Sequence, residues 1–160
     1  MKDKELIKLV EKEVEALCSL LEVDCERSLN LEEGDEDVKY IKVSFEGEDL
    51  GYMIGNRGRH LDSIQYILQL MVGKMTEQDP NYRVLVDVGG YRKERNSHLE
   101  EMALQKADDV RILGEAVELP PMGPADRRAI HMALSEYDDI ITESDGEGRD
   151  RHIVIKPASK

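Results

Sequence analysis

Tryptophan is absent from the 160 residues, phenylalanine occurs once, and cysteine occurs twice. Cys18 and Cys25 cannot build a disulfide framework, and without a paired C-x-x-C or a neighbouring histidine they do not spell a zinc site. A reducing, cytoplasmic setting is expected. No apolar run approaches the ~20 residues that cross a bilayer, so membrane insertion is not expected. The opening Met1-Lys2-Asp3-Lys4-Glu5 has no apolar signal core and is too acidic for a transit peptide. Positive charge is scarce: 22 Lys and Arg stand against 35 Asp and Glu, a formal charge of −13. A field of that sign repels polyanions and excludes indiscriminate nucleic-acid binding. Only the middle of the chain is neutral, with 7 basic and 7 acidic side chains in residues 47–95 against 7 and 14 before it and 8 and 14 after it. A nucleic-acid site would have to be local, built from a few clustered arginines.

Catalytic constellations are missing as well. His60, His98, His131 and His152 are scattered, and no Ser–His–Asp order, Walker A loop or metal-ligand spacing appears. The acidic stretch Glu32-Glu33-Gly34-Asp35-Glu36-Asp37 lacks the D-x-D-x-D-G order of a calcium loop and reads as a solvated turn. Neither an enzyme, a cofactor nor a metal is expected.

What is present is a clear succession of periodic segments. Leu6, Ile7, Val10, Val14, Leu17, Cys18 and Leu21 recur at helical spacing, and Cys18 on that stripe is expected to pack rather than react. Strands are expected around Asp24–Leu31 and Val38–Glu46, joined as a hairpin by the acidic turn. A short helix over Glu48–Ile54 leads through Gly55-Asn56-Arg57-Gly58 into a strong helix with Leu61, Ile64, Ile67, Leu68, Met71, Val72 and Met75 inward. Pro80 ends it, and Arg83–Val88 reads as a strand closed by Gly89-Gly90. A second unit then starts with a helix over Tyr91–Leu113 carrying Leu99, Ala103, Ala107 and Val110, followed by a strand at Ala116–Leu119. Pro124 opens a helix to about Glu136, and Ile140–Glu143 and Arg151–Lys156 form a last pair of strands.

Two constellations carry chemistry. The glycines of Gly55-Asn56-Arg57-Gly58 allow a phosphate–sugar chain to approach the backbone, the next helix offers its positive end, and Arg57 and Arg59 add charge. Taken alone, the same four residues also describe a plain tight turn. In Asp126-Arg127-Arg128-Ala129-Ile130-His131, Arg127 and His131 stand one helical turn apart on one face with Arg128 at its edge. Such a pair suits a phosphate and a base, though charged outer faces are common on amphipathic helices. Tyr52 and Tyr66 are candidates for stacking on a base, with packing the expectation for both.

The order helix–strand–strand–helix–Gly-x-x-Gly–helix–strand over residues 1–90 resembles a type II KH domain, whose loop clamps about four nucleotides of single-stranded backbone. Arg127-x-x-x-His131 after Pro121-Met122-Gly123-Pro124, with Thr142-x-Ser144-x-Gly146-Glu147-Gly148 and Arg151-x-Ile153-Val154-Ile155, makes residues 91–160 similar to an R-three-H domain. The pairing, with Gly90-Tyr91-Arg92 at the junction, resembles the bacterial Jag, or SpoIIIJ-associated, family. The fold class is then α+β: a type II KH domain (α-β-β-α-α-β) followed by a small α/β R-three-H domain.

The resemblance implies a cytoplasmic, non-enzymatic regulator that binds single-stranded RNA and influences cell elongation, envelope synthesis and division. Its implied partners are RNA and a small KH-only protein, or a second copy in a homodimer. Carried over by position, RNA binding falls on Gly55, Asn56, Arg57, Gly58 and Arg59 in the first domain and on Arg127, Arg128, His131 and Arg151 in the second. Asn56 stands where a second basic residue is frequent, and Arg149 where proline is frequent. The N-terminal Jag domain and charged linker of many members have no counterpart in these residues. The competing reading is a protein-interaction adaptor that dimerises through its KH surface, which would close the Gly-x-x-Gly helix pair to RNA.

Overall fold

The computed structural model describes residues 3–158. In chain order the elements are α1 (Asp3–Leu20), β1 (Glu26–Glu33), β2 (Lys39–Glu46), α2 (Gly51–Ile54), α3 (Arg59–Met75), β3 (Tyr82–Val88), α4 (Tyr91–Leu113), β4 (Val117–Glu118), α5 (Pro124–Leu134), β5 (Ile140–Asp145) and β6 (His152–Pro157). The architecture is α+β, and the chain divides into two compact units between Arg92 and Lys93. No helix among the described residues is long and apolar enough to cross a membrane.

In the first unit, β1 and β2 pair antiparallel and β2 and β3 pair parallel, in the order β1-β2-β3. Parallel pairing requires a long crossover, which α2 and α3 supply. The inward alternation Ile41, Val43, Phe45 on β2 meets Val84, Val86 and Val88 of β3 in register. Leu6, Val10, Val14 and Cys18 of α1 and Leu61, Ile64, Leu68 and Val72 of α3 close over the same core. Cys18 is buried there as expected, and burial pushes the neighbouring Cys25 thiol up, with Cys18 beside it adding to the shift. The hairpin differs in detail from the sequence expectation. β1 starts two residues later and runs on to Glu33, because Glu32 pairs with Tyr40 and its carboxylate meets Lys42 at 2.5 Å. The expected helix over Glu48–Ile54 shrinks to the single turn of α2, since Asp49 adopts φ 56° just before it.

β3 lies at the edge of its sheet, where unpaired strand groups invite further pairing. Glutamines one turn apart on α3 cover it. Gln69 Oε1 accepts from Val84 N–H at 2.8 Å and its Nε2 donates to the Tyr82 carbonyl at 3.1 Å. Gln65 Oε1 accepts from Val86 N–H at 3.0 Å, and Arg92 Nε donates to the Val86 carbonyl at 2.8 Å. Arg92 also reaches Asp62 and Gln65 on α3, each at 3.1 Å, while Tyr91 packs on the first core. These bonds draw the first residues of α4 into the first unit and carry its boundary past Gly89-Gly90.

In the second unit, β4, β6 and β5 form an antiparallel sheet in that spatial order. Leu99, Ala103, Ala107 and Val110 of α4 are buried against Ile130 and Leu134 of α5 and Ile140, Ile153 and Ile155 of the sheet. The stripe read from the sequence is the stripe that is buried. Arg95 of α4 and Asp126 of α5, both largely covered, form an ion pair at 2.7 Å that joins the two helices.

Candidate nucleic-acid interface

The first candidate surface begins where α2 stops. Gly55, at φ 69° and ψ −174°, occupies a region closed in practice to residues with a Cβ. Its N–H donates to the Gly51 carbonyl at 2.9 Å, and a 3-10 turn over Asn56–Gly58 follows. Arg57 (φ 55°) and Gly58 (φ 81°) are both left-handed. Side chains lock the turn from two sides. His60 Nδ1 donates to the Tyr52 carbonyl at 2.7 Å, and its ring lies where a Gly55 Cβ would come within 2.5 Å of Cγ. A Cβ on Gly58 would approach Tyr91 Cε1 to 3.0 Å. Gly58 precedes α3 with no side-chain cap and the Arg59 N–H donates to the Asn56 carbonyl, so it is the later N–H groups of the first turn that keep their capacity for an external acceptor. Asn56, Arg57 and Arg59 are exposed around that end.

From Arg59 the outward face of α3 continues through Ser63, Tyr66, Ile67 and Leu70. Tyr66 is 64% exposed, Leu70 53% and Ile67 45%, and Tyr52 beside the loop is 52% exposed. Packing was the expectation for both tyrosines and inward orientation for Ile67, and the structure corrects all three. The Leu61–Ile64–Leu68–Val72 stripe fills the core, and residues 66, 67 and 70 fall on the opposite arc of the same helix.

The second candidate surface is built by α5 and β5. Thr142 and Ser144 alternate with Ile141 and Glu143 on β5, which turns their side chains to the face of Ile140 and toward α5. Two residues along a strand advance about 6.6 Å and four along a helix about 6 Å, so the two pairs keep step. His131 Nδ1 and Thr142 Oγ1 share a hydrogen bond of 2.5 Å, and Arg127 Nη1 donates to Ser144 Oγ at 2.7 Å. Arg127 Nε also donates to the Met122 carbonyl at 3.3 Å. Arg151, just before β6, donates from Nε to the same Ser144 oxygen at 2.9 Å. Gly146 makes this return possible: it is left-handed (φ 81°), and a Cβ there would stand 2.8 Å from the Asp150 carbonyl oxygen.

The sequence-derived residues therefore fall into two sets, each gathered within its own unit. Gly55, Asn56, Arg57, Gly58 and Arg59 surround the start of α3, and Arg127, His131 and Arg151 share one polar cluster. Arg128 is exposed at the edge of α5 and takes no part in the hydrogen bonds of that cluster. Among the described residues Arg127 and Arg151 have no carboxylate within ion-pair distance, whereas Arg92, Arg95 and Arg111 each do. Among the described residues no group of His, Cys, Asp and Glu is placed to hold a metal ion.

Comparison with known proteins matches the chain to two family models. Residues 9–86 match the KhpA/KhpB KH domain, and residues 97–157 match the R-three-H domain. The chain joins a KH domain of the KhpA/KhpB type to an R-three-H domain. The RNA-binding protein KhpB of Clostridium symbiosum is 40% identical over 123 residues, covering 77% of this chain and 54% of that protein. The RNA-binding protein KhpB of Bacillus subtilis is 35% identical over 122 residues, 75% of this chain and 58% of that one. The protein of the same name in Lactiplantibacillus plantarum is 29% identical over 147 residues, 89% of this chain and 44% of its own length. The chain spans about half the length of the curated relatives it matches. The loop before α3, called the KH loop below, lies within the span matched to the KH model, and Arg127 and His131 lie within the span matched to the R-three-H model.

Sequence reasoning placed Arg127 and His131 on one face but assigned no site role to the hydroxyls beneath them. The available signal was the Thr-x-Ser alternation of a strand following an Arg-x-x-x-His helix. His60 and Tyr91, which shape the KH loop, gave no comparable signal, because their role depends on glycines approached through space.

Proposed function

We propose that the chain binds single-stranded RNA through two surfaces: the KH loop with Gly55, Asn56, Arg57, Gly58 and Arg59, and the R-three-H cluster of Arg127, Arg128, His131 and Arg151. The observation that carries this reading is the convergence of Arg127 and Arg151, without carboxylate partners among the described residues, in a chain of net charge −13. Guanidiniums held together without a counter-anion form a place for a phosphate. The KH loop adds a backbone surface at a helix N-terminus, which positions a strand without reading its bases. The names of the relatives support RNA as the polyanion. The reading involves no reaction, since both domain types bind. In keeping with the family resemblance, the chain acts in the cytoplasm as a regulator of cell elongation, envelope synthesis and division. Two weak sites on one chain gain affinity together through effective concentration.

Fluorescence anisotropy of labelled single-stranded RNA pools at two salt concentrations tests the reading, with Gly58→Asp and Arg127→Ala compared with wild type after circular dichroism shows all three folded. Each variant is expected to bind about tenfold more weakly, and Arg127→Ala to lower the salt slope by about 0.7, the value of one single-strand phosphate contact. No binding by wild type at low salt overturns the proposal.

A second reading rests on Tyr66, Ile67 and Leu70, an exposed apolar strip on α3 beside the KH loop. A small KH-only protein or a second copy would cover it. Sedimentation mass that falls in Leu70→Asp while RNA affinity holds supports that reading, and a wild-type monomer that captures no KH-only protein removes it.

A further inference from the structure

The R-three-H cluster contains an oxygen that sits differently from its neighbours. Ser144 Oγ accepts from Arg127 Nη1 at 2.7 Å and from Arg151 Nε at 2.9 Å. A serine hydroxyl has two lone pairs and one O–H, so both acceptor positions are filled and only its donor remains. The bonds to Ser144 and Met122 set the plane of the Arg127 guanidinium through Nη1 and Nε, leaving the Nη2 amino group to reach an outside acceptor. Two cations are thus held side by side by a neutral oxygen, although like charges repel and acidic side chains outnumber basic ones in this half of the chain. The register of β5 puts Ser144 opposite Ile153, on the face turned to α5, while Glu143 and Asp145 point to the other face. The neighbouring carboxylates therefore point away from the cluster, and Arg127, Arg151 and Ser144 offer donors to an outside group.

We propose that Ser144 is the positioning residue of a single phosphodiester site: it gathers Arg127 and Arg151 and gives its own O–H to the same phosphate group of a single-stranded RNA. This inference rests on the RNA-binding reading above and names the ligand group taken by the R-three-H cluster. Three donors on one phosphate fit its oxygens better than two splayed arginines would. Ser144 carries no charge, so its effect on affinity comes through geometry.

The test uses the full chain and a labelled RNA with hydroxyls at both ends, so that every phosphate it carries is internal. Ser144→Ala is expected to weaken binding about tenfold, the loss of one charge-assisted hydrogen bond, and to lower the salt slope because the arginines part. Ser144→Thr, which keeps the hydroxyl and suits a strand, restores binding to within about twofold. Ser144→Asp places a carboxylate between both arginines. It is expected to raise the melting temperature of the R-three-H unit while removing the contribution of Arg127, a combination that a purely structural serine would not give. A neutral methylphosphonate walked along the RNA identifies the site as the one position where Ser144→Ala adds no further loss. Inorganic phosphate at millimolar concentration that displaces the RNA as well as an unlabelled strand does overturns the phosphodiester assignment in favour of a free-anion site. Wild-type binding lost in Arg127→Ala but unchanged in Ser144→Ala overturns this inference and leaves the RNA reading standing. Absence of wild-type binding removes both.

Discussion

Replacing Gly55 by alanine should unfold the KH unit far more readily than an exposed loop substitution normally does. Two terms contribute. Backbone at φ 69° and ψ −174° costs a residue with a Cβ about 1–3 kcal/mol. The added methyl also stands 2.5 Å from His60 Cγ, so the ring must rotate away and give up its bond to the Tyr52 carbonyl, a further cost of about 1 kcal/mol. The sum is about 3 kcal/mol, or a melting-point drop of roughly 12–24 °C for a unit of this size. Urea titration followed by tyrosine fluorescence isolates the effect, because Tyr40, Tyr52, Tyr66, Tyr82 and Tyr91 lie in the first unit and only Tyr137 in the second. His60→Ala alone should cost about 1 kcal/mol, and the double variant about 3 rather than the additive 4, because the ring that must move is already gone. A Gly55→Ala protein within about 0.5 kcal/mol of wild type, or a strictly additive double variant, would refute the account of the loop.

Gln69→Ala strips the β3 edge of an acceptor for buried Val84 and a donor to Tyr82, and should cost about 2 kcal/mol by urea titration, with Gln69→Glu recovering part through its acceptor. Hydrogen bonds from Lys39 and Tyr82 hold the Asp3 carboxyl below its usual range. A depressed carboxyl stabilises the fold above its unfolded pKa of about 4 and loses that contribution as pH falls through the folded value. Asp3→Asn should therefore be less stable than wild type at pH 7, and the stability difference should shrink as pH falls through the lowered folded pKa of Asp3.

Much of the fold was legible because each unit repeats one local rule. The four-residue beat of Leu6, Val10, Val14 and Cys18, the alternation of Ile41, Val43 and Phe45, and the stripe Leu99, Ala103, Ala107 and Val110 each name a buried face without reference to any partner. Boundaries were less legible. β1 runs on into the acidic stretch because Tyr40 lies across from Glu32 and Lys42 reaches its carboxylate, and those partners belong to another segment of chain. Tyr52, Tyr66 and Ile67 were misread for a similar reason: apolar character along a helix does not say which arc the sheet will cover.

For the site, residue types and their helical spacing are readable along the chain: two glycines three apart, and an arginine and histidine one turn apart. Those follow from local backbone geometry, which neighbours along the chain dictate. The tertiary structure alone decided that His60 and Tyr91 close over the glycines and that β3 is sealed by Gln65, Gln69 and Arg92. It also decided that Arg127 and Arg151, 24 positions apart by number, meet on the oxygen of Ser144. Hydrogen bonds act over about 3 Å of space whatever the separation along the chain, so they exist only once the strands and helices have packed.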